Sequence, residues 1–302
     1  MGSIAHYIKD IGRGARGAKP LAREQAADLF GQVLDGSVTD LEIGAFCLAM
    51  RVKGETTQEM AGFLDATHAR LACVQSLAGP VVVLPSYNGA RRLPVLTPLL
   101  ALLLAREGLP VLVHGSRTES SRVTAAEVLA ELGHAEATTL MPLDAGQIAV
   151  VDTGLLHPGL KRLLEVRRVV GLRNAGHSVV KLMQPVAGPA VVVGSYTHPA
   201  FGTVMTELFE LLGMTAMLSR GLEGEVVVDP RRTLHIEGFV RGQRQPLQTQ
   251  QPGTLAEIPG LPAELDAAVT AAYTRRVLAG ELPLPEAIAA QVAHIRHLAA
   301  HA

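Results

Sequence analysis

Val81-Val82-Val83-Leu84-Pro85-Ser86-Tyr87-Asn88-Gly89-Ala90-Arg91-Arg92 is where the chain changes character. A short β-branched run with no alternation reads as a strand buried on both faces, which is the signature of a parallel sheet. The Pro-Ser-Tyr-Asn-Gly sequence after it breaks the strand into a loop. An apolar helix follows over Thr97 to Arg106, then a second strand over Pro110 to His114. Strand and helix go on alternating through a helix at Ala125 to Leu132 and strands at Ile148 to Asp152 and Ala190 to Gly194, so this part is an α/β domain with a mainly parallel sheet.

Upstream, residues 20–72 read as helices with short connections. Thr39 to Glu42 and Thr56 to Glu59 have capping-box spacing, and Gly36 and Gly54 supply the breaks. Leu41, Ala45, Leu48 and Ala49 share one helical face, and Met60, Phe63, Leu64 and Thr67 another. Helical texture returns over His157 to Lys181. Downstream, Thr203 to Leu212 reads as helix, Met214 to Leu218 and Glu225 to Val228 as strands, and residues 242–263 as a long surface loop. Leu261 to Gly280 and Pro285 to Ala302 close the chain as helices. The expected organisation is a small helical domain from residues 1–75 and 155–186, packed on an α/β domain from residues 76–154 and 187–302.

Composition narrows the function classes. Of 302 residues, 48% are hydrophobic, so a large core is available and disorder is excluded. Aromatics are 3% with no Trp, which argues against base recognition on stacking platforms. Cys47 and Cys73, both in apolar helical contexts, read as small buried side chains, and two cysteines build neither a disulfide framework nor a zinc site. The start, Met1 to Asp10, lacks the apolar run of a signal peptide, and Val95 to Ala105 is too short to span a bilayer, so the expectation is a cytoplasmic protein with no membrane partner.

Net charge is −1, but the charge is segregated. Lys9, Arg13, Arg16, Lys19 and Arg23 stand against Asp10 alone in residues 1–23, +4. Lys161, Arg162, Arg167, Arg168, Arg173 and Lys181 stand against Glu165 alone in residues 161–181, +5, leaving −10 elsewhere. Such patches are either solvated faces or surfaces for polyanions. Gly12-Arg13-Gly14-Ala15-Arg16-Gly17 matches a dinucleotide fingerprint literally, yet no buried strand precedes it, so it reads as a basic turn able to approach phosphates.

Candidate site residues gather at the strand ends, where α/β sheets place ligands. Asn88, Gly89 and Arg91 follow the first strand; His114, Ser116 and Arg117 follow the second. His114 is read equally well as a structural or a functional histidine. Glu223 and Glu225 are weak candidates for holding Mg²⁺ beside a phosphate, against the plainer reading of a polar turn. His294, His297 and His301 share one helix face without a carboxylate partner, which reads as a surface face and not a metal site.

These pieces, in this order, resemble glycosyltransferase family 3, the anthranilate phosphoribosyltransferases and pyrimidine-nucleoside phosphorylases, over nearly the whole chain. The specific stretch runs from His157-Pro158-Gly159-Leu160-Lys161 through Arg167-Arg168-Val169-Val170-Gly171-Leu172-Arg173 to Pro185. The resemblance implies a two-fold dimer through the helical domain and places His157 and Arg167 where the family binds anthranilate. It also exposes departures. Leu84 to Gly89 stands where the family has a Gly-Thr-Gly-Gly-Asp loop for pyrophosphate, and apolar residues near Leu96 to Leu99 replace a polar helix start. Val113 and Ser116 replace a Lys and an Asn, Val179 to Leu182 replaces the segment over the acceptor pocket, and Glu223-Gly224 replaces an Asp-Glu metal pair. Asn88-Gly89-Ala90-Arg91, Leu172-Arg173-Asn174 with His177 and Lys181, and Arg220 to Glu225 are instead similar to the diverged YbiB-like group, which implies a homodimer that binds DNA and RNA with little sequence preference.

The resulting expectation is a non-sequence-specific nucleic-acid-binding protein on a phosphoribosyltransferase-like scaffold with a degenerate active site and no cofactor. Lys9, Arg13, Arg16, Lys19, Arg91, Arg117, Lys161, Arg167, Arg168, Arg173 and Lys181 would meet phosphates. Asn88, Gly89, His114, Ser116, His157 and Arg167 would mark the former substrate cleft. The rivals are an active pentosyltransferase with an altered substrate, which alone would call for Mg²⁺, and a binder of a phosphorylated metabolite.

Overall fold

The computed structural model describes residues 3–14 and 16–302, so Ala15 of the Gly12 to Gly17 turn lies outside the described residues, as do Met1 and Gly2 of the polar start. The chain opens with helices α1 (Ala5–Ile11), α2 (Arg23–Asp35), α3 (Asp40–Lys53) and α4 (Thr57–His68). It continues through β1 (Val74–Gln75), β2 (Val81–Pro85), α5 (Thr97–Arg106), β3 (Val111–Gly115), α6 (Ala125–Glu131) and β4 (Ile148–Asp152). Then come α7 (Thr153–Leu156), α8 (Pro158–Val170), α9 (Gly176–Val179), β5 (Val186–Ala187), β6 (Ala190–Tyr196), α10 (Pro199–Leu211) and β7 (Ala216–Arg220). A hairpin of β8 (Ile236–Val240) and β9 (Gln243–Gln248) precedes α11 (Ala267–Leu278) and α12 (Glu286–Ala299).

Two compact units result, one from residues 1–72 and 153–185 and the other from 73–152 and 186–302. The first is helical. Both capping boxes form: Thr39 and Thr56 accept from the backbone of Glu42 and Glu59, whose carboxylates reach back. Glu59 is fully buried and also accepts from the Leu21 N–H at 2.9 Å and from Lys53 Nζ at 2.6 Å. The core holds Phe30 stacked on Phe63 at 4.6 Å, with Phe46 edge-on to both. Helix α3 carries two apolar stripes. Ile43, Phe46, Cys47 and Met50 face inward, whereas Leu41 (84% exposed), Leu48 (50%) and Val52 (64%) face solvent. The face read from the sequence as shared is therefore the outer one. Cys73 is exposed rather than buried; Cys47 is buried, and burial pushes its thiol up to about 12.

The second unit is built on a seven-stranded sheet in the order β4-β3-β2-β6-β7-β8-β9, parallel as far as β7 and antiparallel beyond it. Every residue of β2 is buried, as its unalternating sequence requires. Val82, Leu84, Val111 and Val113 of the sheet share a core with Leu99 and Leu100 of α5 and Ile288 and Ile295 of α12. Parallel β1 and β5 form a separate two-stranded sheet.

Two expectations fail here for identifiable reasons. Glu225 to Val228 is not a strand. Its backbone is satisfied by a side chain: Gln291 Nε2 donates to the Val226 carbonyl at 2.8 Å, and Gln291 Oε1 accepts from the Val228 N–H at 3.0 Å. The valines fill the core without a neighbouring strand. Conversely, residues 243–248 are an edge strand and not loop. The β8–β9 hairpin turns through Arg241 and Gly242, both at positive φ (49° and 79°), as a two-residue turn demands, and an exposed edge strand tolerates Gln, Arg and Pro246.

Candidate functional site: a loop closed on a carboxylate

The loop leaving β2 turns sharply at Gly89, whose φ is +69° and where a Cβ would lie 2.6 Å from the Val123 carbonyl oxygen. That turn aims successive backbone N–H groups at one point, and a carboxylate sits there. Glu225 Oε1 accepts from the N–H of Asn88 at 3.0 Å and of Gly89 at 2.9 Å. Its Oε2 accepts from Ser86 Oγ and from Thr97 Oγ1 at 2.9 Å. Glu225 is 3% exposed. Asn88 Nδ2 donates to the Gly224 carbonyl at 3.0 Å, and Ser195 Oγ to the same oxygen at 3.3 Å. Gly221 permits the approach, since a Cβ there would meet the Glu225 carbonyl oxygen at 2.5 Å. Glu223, held at φ +56°, accepts from the Arg91 N–H at 2.6 Å.

Glu223 and Glu225 are therefore brought together with Asn88, Gly89 and Arg91, but as acceptors for backbone amides. Carboxylates already saturated by N–H and O–H donors do not fit the open oxygen-ligand set that Mg²⁺ needs, which corrects their reading as metal candidates. His294 bonds Gln248, His301 bonds the His297 carbonyl, and no group of three metal-binding side chains gathers among the described residues.

The other predicted residues divide. Ser116 Oγ donates to Asp152 Oδ2 at 2.6 Å across neighbouring strand ends. His114 is 1% exposed, and neither ring nitrogen has a hydrogen-bond partner; burial lowers it from 6.5 to about 3. Arg117 is a correction: its guanidinium pairs with Glu127 at 3.0 Å and donates to the Ser120 and Arg122 carbonyls, so it builds its own loop and is not presented to phosphate. Thr97 and Ser86 went unnoticed in the sequence. Thr97 is the one hydroxyl in an apolar helix start, and that isolation was the available signal.

In the helical unit, His157 caps α8, its Nδ1 accepting from the Leu160 N–H at 3.2 Å, and is buried with its Nε2 unpartnered. Burial lowers its pKa first, with Arg70 adding and Asp35 opposing. Arg167 and Arg168 lie in the last turn of α8, where cations complement the helix dipole, and Arg168 is exposed. Asn174 ties the following turn back to α8 through the Leu163 carbonyl at 2.7 Å. This folds Arg173, Arg167 and Lys181 around His177, whose pKa is lowered to about 3 by burial and then by those three cations in that order. Lys9, Arg13, Arg16 and Lys19 are all exposed, with Arg13 paired to Asp10 at 3.5 Å.

The two depressed imidazoles set an acid-lability. Between 6.5 and about 3 the unfolded chain binds protons that folded His114 and His177 refuse, so stability falls as pH drops through that window and is unaffected above it. Each contributes up to about 1.4 kcal/mol per pH unit. Urea unfolding followed from pH 7 to pH 4.5 is expected to show that slope, and His114→Leu to flatten it; an unchanged slope in the variant would mean that the imidazole titrates normally.

Comparison with known proteins adds three findings. Residues 5–70 match the glycosyl transferase family, helical bundle domain. The chain is 38% identical to the Escherichia coli protein YbiB over 95% of its own length and 91% of that protein's, and 30% identical to the anthranilate phosphoribosyltransferase of Sphingopyxis alaskensis over 86% and 80%. Its fold superposes on the crystal structure of anthranilate phosphoribosyltransferase from Thermus thermophilus with a TM-score of 0.73 at 23% identity, covering 95% of this chain and 85% of that one. No helix among the described residues is long and apolar enough to cross a membrane.

Proposed function

Because the chain belongs to the glycosyl transferase family that includes the anthranilate phosphoribosyltransferases, we propose that it keeps their scaffold and uses it to bind nucleic acid with little regard to sequence. The observation that carries this reading is the gathering of Arg167, Arg173 and Lys181 around one buried imidazole, beside exposed Arg168. Cations packed this closely repel one another, and a polyphosphate backbone relieves that repulsion while releasing its own counterions. Without aromatic platforms or a reading helix, such a surface positions phosphates and reads no bases. The experiment is a titration of single-stranded DNA and RNA against the protein at several salt concentrations.

The second reading, a transferase with an altered acceptor, is favoured by relatives named anthranilate phosphoribosyltransferase and by the unpartnered ring nitrogens of His114 and His157. Against it stands the carboxylate in the β2 loop, which would repel a pyrophosphate, together with acids already saturated where Mg²⁺ would bind. The expected outcome is no phosphoribosyl transfer to anthranilate, assayed by loss of anthranilate fluorescence with Mg²⁺ present. Turnover at ordinary enzymatic rates would reverse the assignment.

Homodimerisation through the helical unit belongs to the same proposal. Leu41, Ala45, Leu48 and Val52 recur at the spacing of a helix–helix seam and flank a groove of 310 Å³ lined by Ile8, Ile11 and Ala49. A two-fold axis there would double each basic patch. Leu48→Asp with Val52→Asp is expected to halve the mass measured by light scattering, and an unchanged mass would move the interface elsewhere.

A further inference from the structure

Four donors in the second unit converge on a single carboxylate: Ser86 Oγ, Thr97 Oγ1, and the N–H groups of Asn88 and Gly89. All four are neutral. A concave set of neutral backbone and hydroxyl donors is the chemistry of an oxyanion receptor, because each donor retains a partial positive charge and none can be neutralised by deprotonation. The carboxylate comes from the chain itself, at a distance of 136 residues from Gly89 in sequence. It is held there from both sides, by Asn88 Nδ2 and Ser195 Oγ on the Gly224 carbonyl and by the Arg91 N–H on Glu223.

We propose that this loop is a latent receptor for a phosphate-class oxyanion, with Glu225 as its built-in ligand, so that the native protein is closed to free phosphate and becomes open when the carboxylate is removed. An intramolecular ligand tethered on both sides acts at high effective concentration, which is why millimolar free anion does not displace it. Taking the carboxylate away leaves four donors in a buried space that a chloride ion fills poorly and a tetrahedral oxyanion, with an oxygen for each pair of donors, fills well. The receptor is independent of nucleic-acid binding: it lies in the other unit, and either can fail without the other.

The test uses the full chain and inorganic phosphate, with chloride at matched ionic strength as reference. Wild type is expected to show no phosphate-specific change in Tm and no heat in calorimetry. Glu225→Ala is expected to melt lower in chloride and to recover on the order of 5 °C at phosphate well above its Kd. Adding Thr97→Val to Glu225→Ala is expected to abolish the recovery, which separates this receptor from phosphate held by surface cations. No phosphate-specific response in Glu225→Ala, or an equal response in wild type, overturns the proposal. If the variant does not fold in either anion, the wild-type amide protons of Asn88 and Gly89 decide. They are expected to move together as acid protonates Glu225 and to ignore phosphate at neutral pH; movement with phosphate, or indifference to acid, overturns it equally.

Discussion

Glu225→Ala is expected to destabilise the α/β unit by about 3 kcal/mol, the cost of leaving buried donors without an acceptor once partial hydration is allowed for. The same truncation at Glu223 is expected to cost well under 1 kcal/mol, because its partner here, the Arg91 N–H, belongs to an exposed residue that water can reach. The contrast is the informative part. Both acids lie in one five-residue turn and both accept from the β2 loop, so a sequence-based view treats them alike. Only one is the acceptor on which the buried loop depends. Chemical denaturation of the two variants side by side measures the difference. Equal costs would mean that the loop at Ser86 to Gly89 does not depend on the Glu225 carboxylate.

Replacing Arg167, Arg168 and Arg173 together with Ala is expected to weaken binding to every oligonucleotide by one to two orders of magnitude at low salt and to reduce the salt slope by about 2 to 3, since each phosphate left without its arginine keeps close to one condensed counterion. A uniform weakening across sequences is the mark of backbone recognition. Weakening confined to particular sequences would indicate base readout, which this surface does not provide for. The variant should stay folded, because Arg168 is exposed and Arg167 is only partly buried. Relief of the charge pressing on His177 should also raise the pKa of that imidazole, which gives an internal check that the three cations act where the structure places them.

Much of the scaffold was legible in the sequence because local and global signals agree there. The unalternating valines of β2, the capping boxes at Thr39 and Thr56 and the apolar run of α5 each name their element without help from the rest of the chain. The failures occur where a distant residue overrides local propensity. Val226 to Val228 carries every mark of a strand, and Gln291, 63 residues after Val228, supplies the hydrogen bonds a strand would have sought. The edge strand β9 has no apolar face to announce it, and only pairing with β8 makes it a strand. On α3 two apolar stripes compete, and sequence alone does not say which one the fold buries.

The site follows the same rule. Sequence located the loop after β2 and the acidic turn at Glu223 to Glu225 separately, and it assigned each a ligand, phosphate for one and Mg²⁺ for the other. Folding makes them ligands for each other. Charge complementarity between a donor-rich loop and an acidic turn was visible in principle, but nothing local specifies that a carboxylate 136 residues beyond Gly89 closes the gap. Arg117 was likewise read by its charge, whereas the Glu127 carboxylate and two loop carbonyls around it determine what it does.

The most direct test of nucleic-acid binding is the affinity of the wild-type protein for a fluorescently labelled single-stranded oligonucleotide, measured by anisotropy from low to physiological salt with two unrelated sequences. The expected result is binding of both sequences alike, with a slope of log K against log salt on the order of −3 to −6. Absence of binding to either sequence at the lowest salt would contradict it, and would leave the basic cluster around His177 as a solvated face of a transferase-like scaffold.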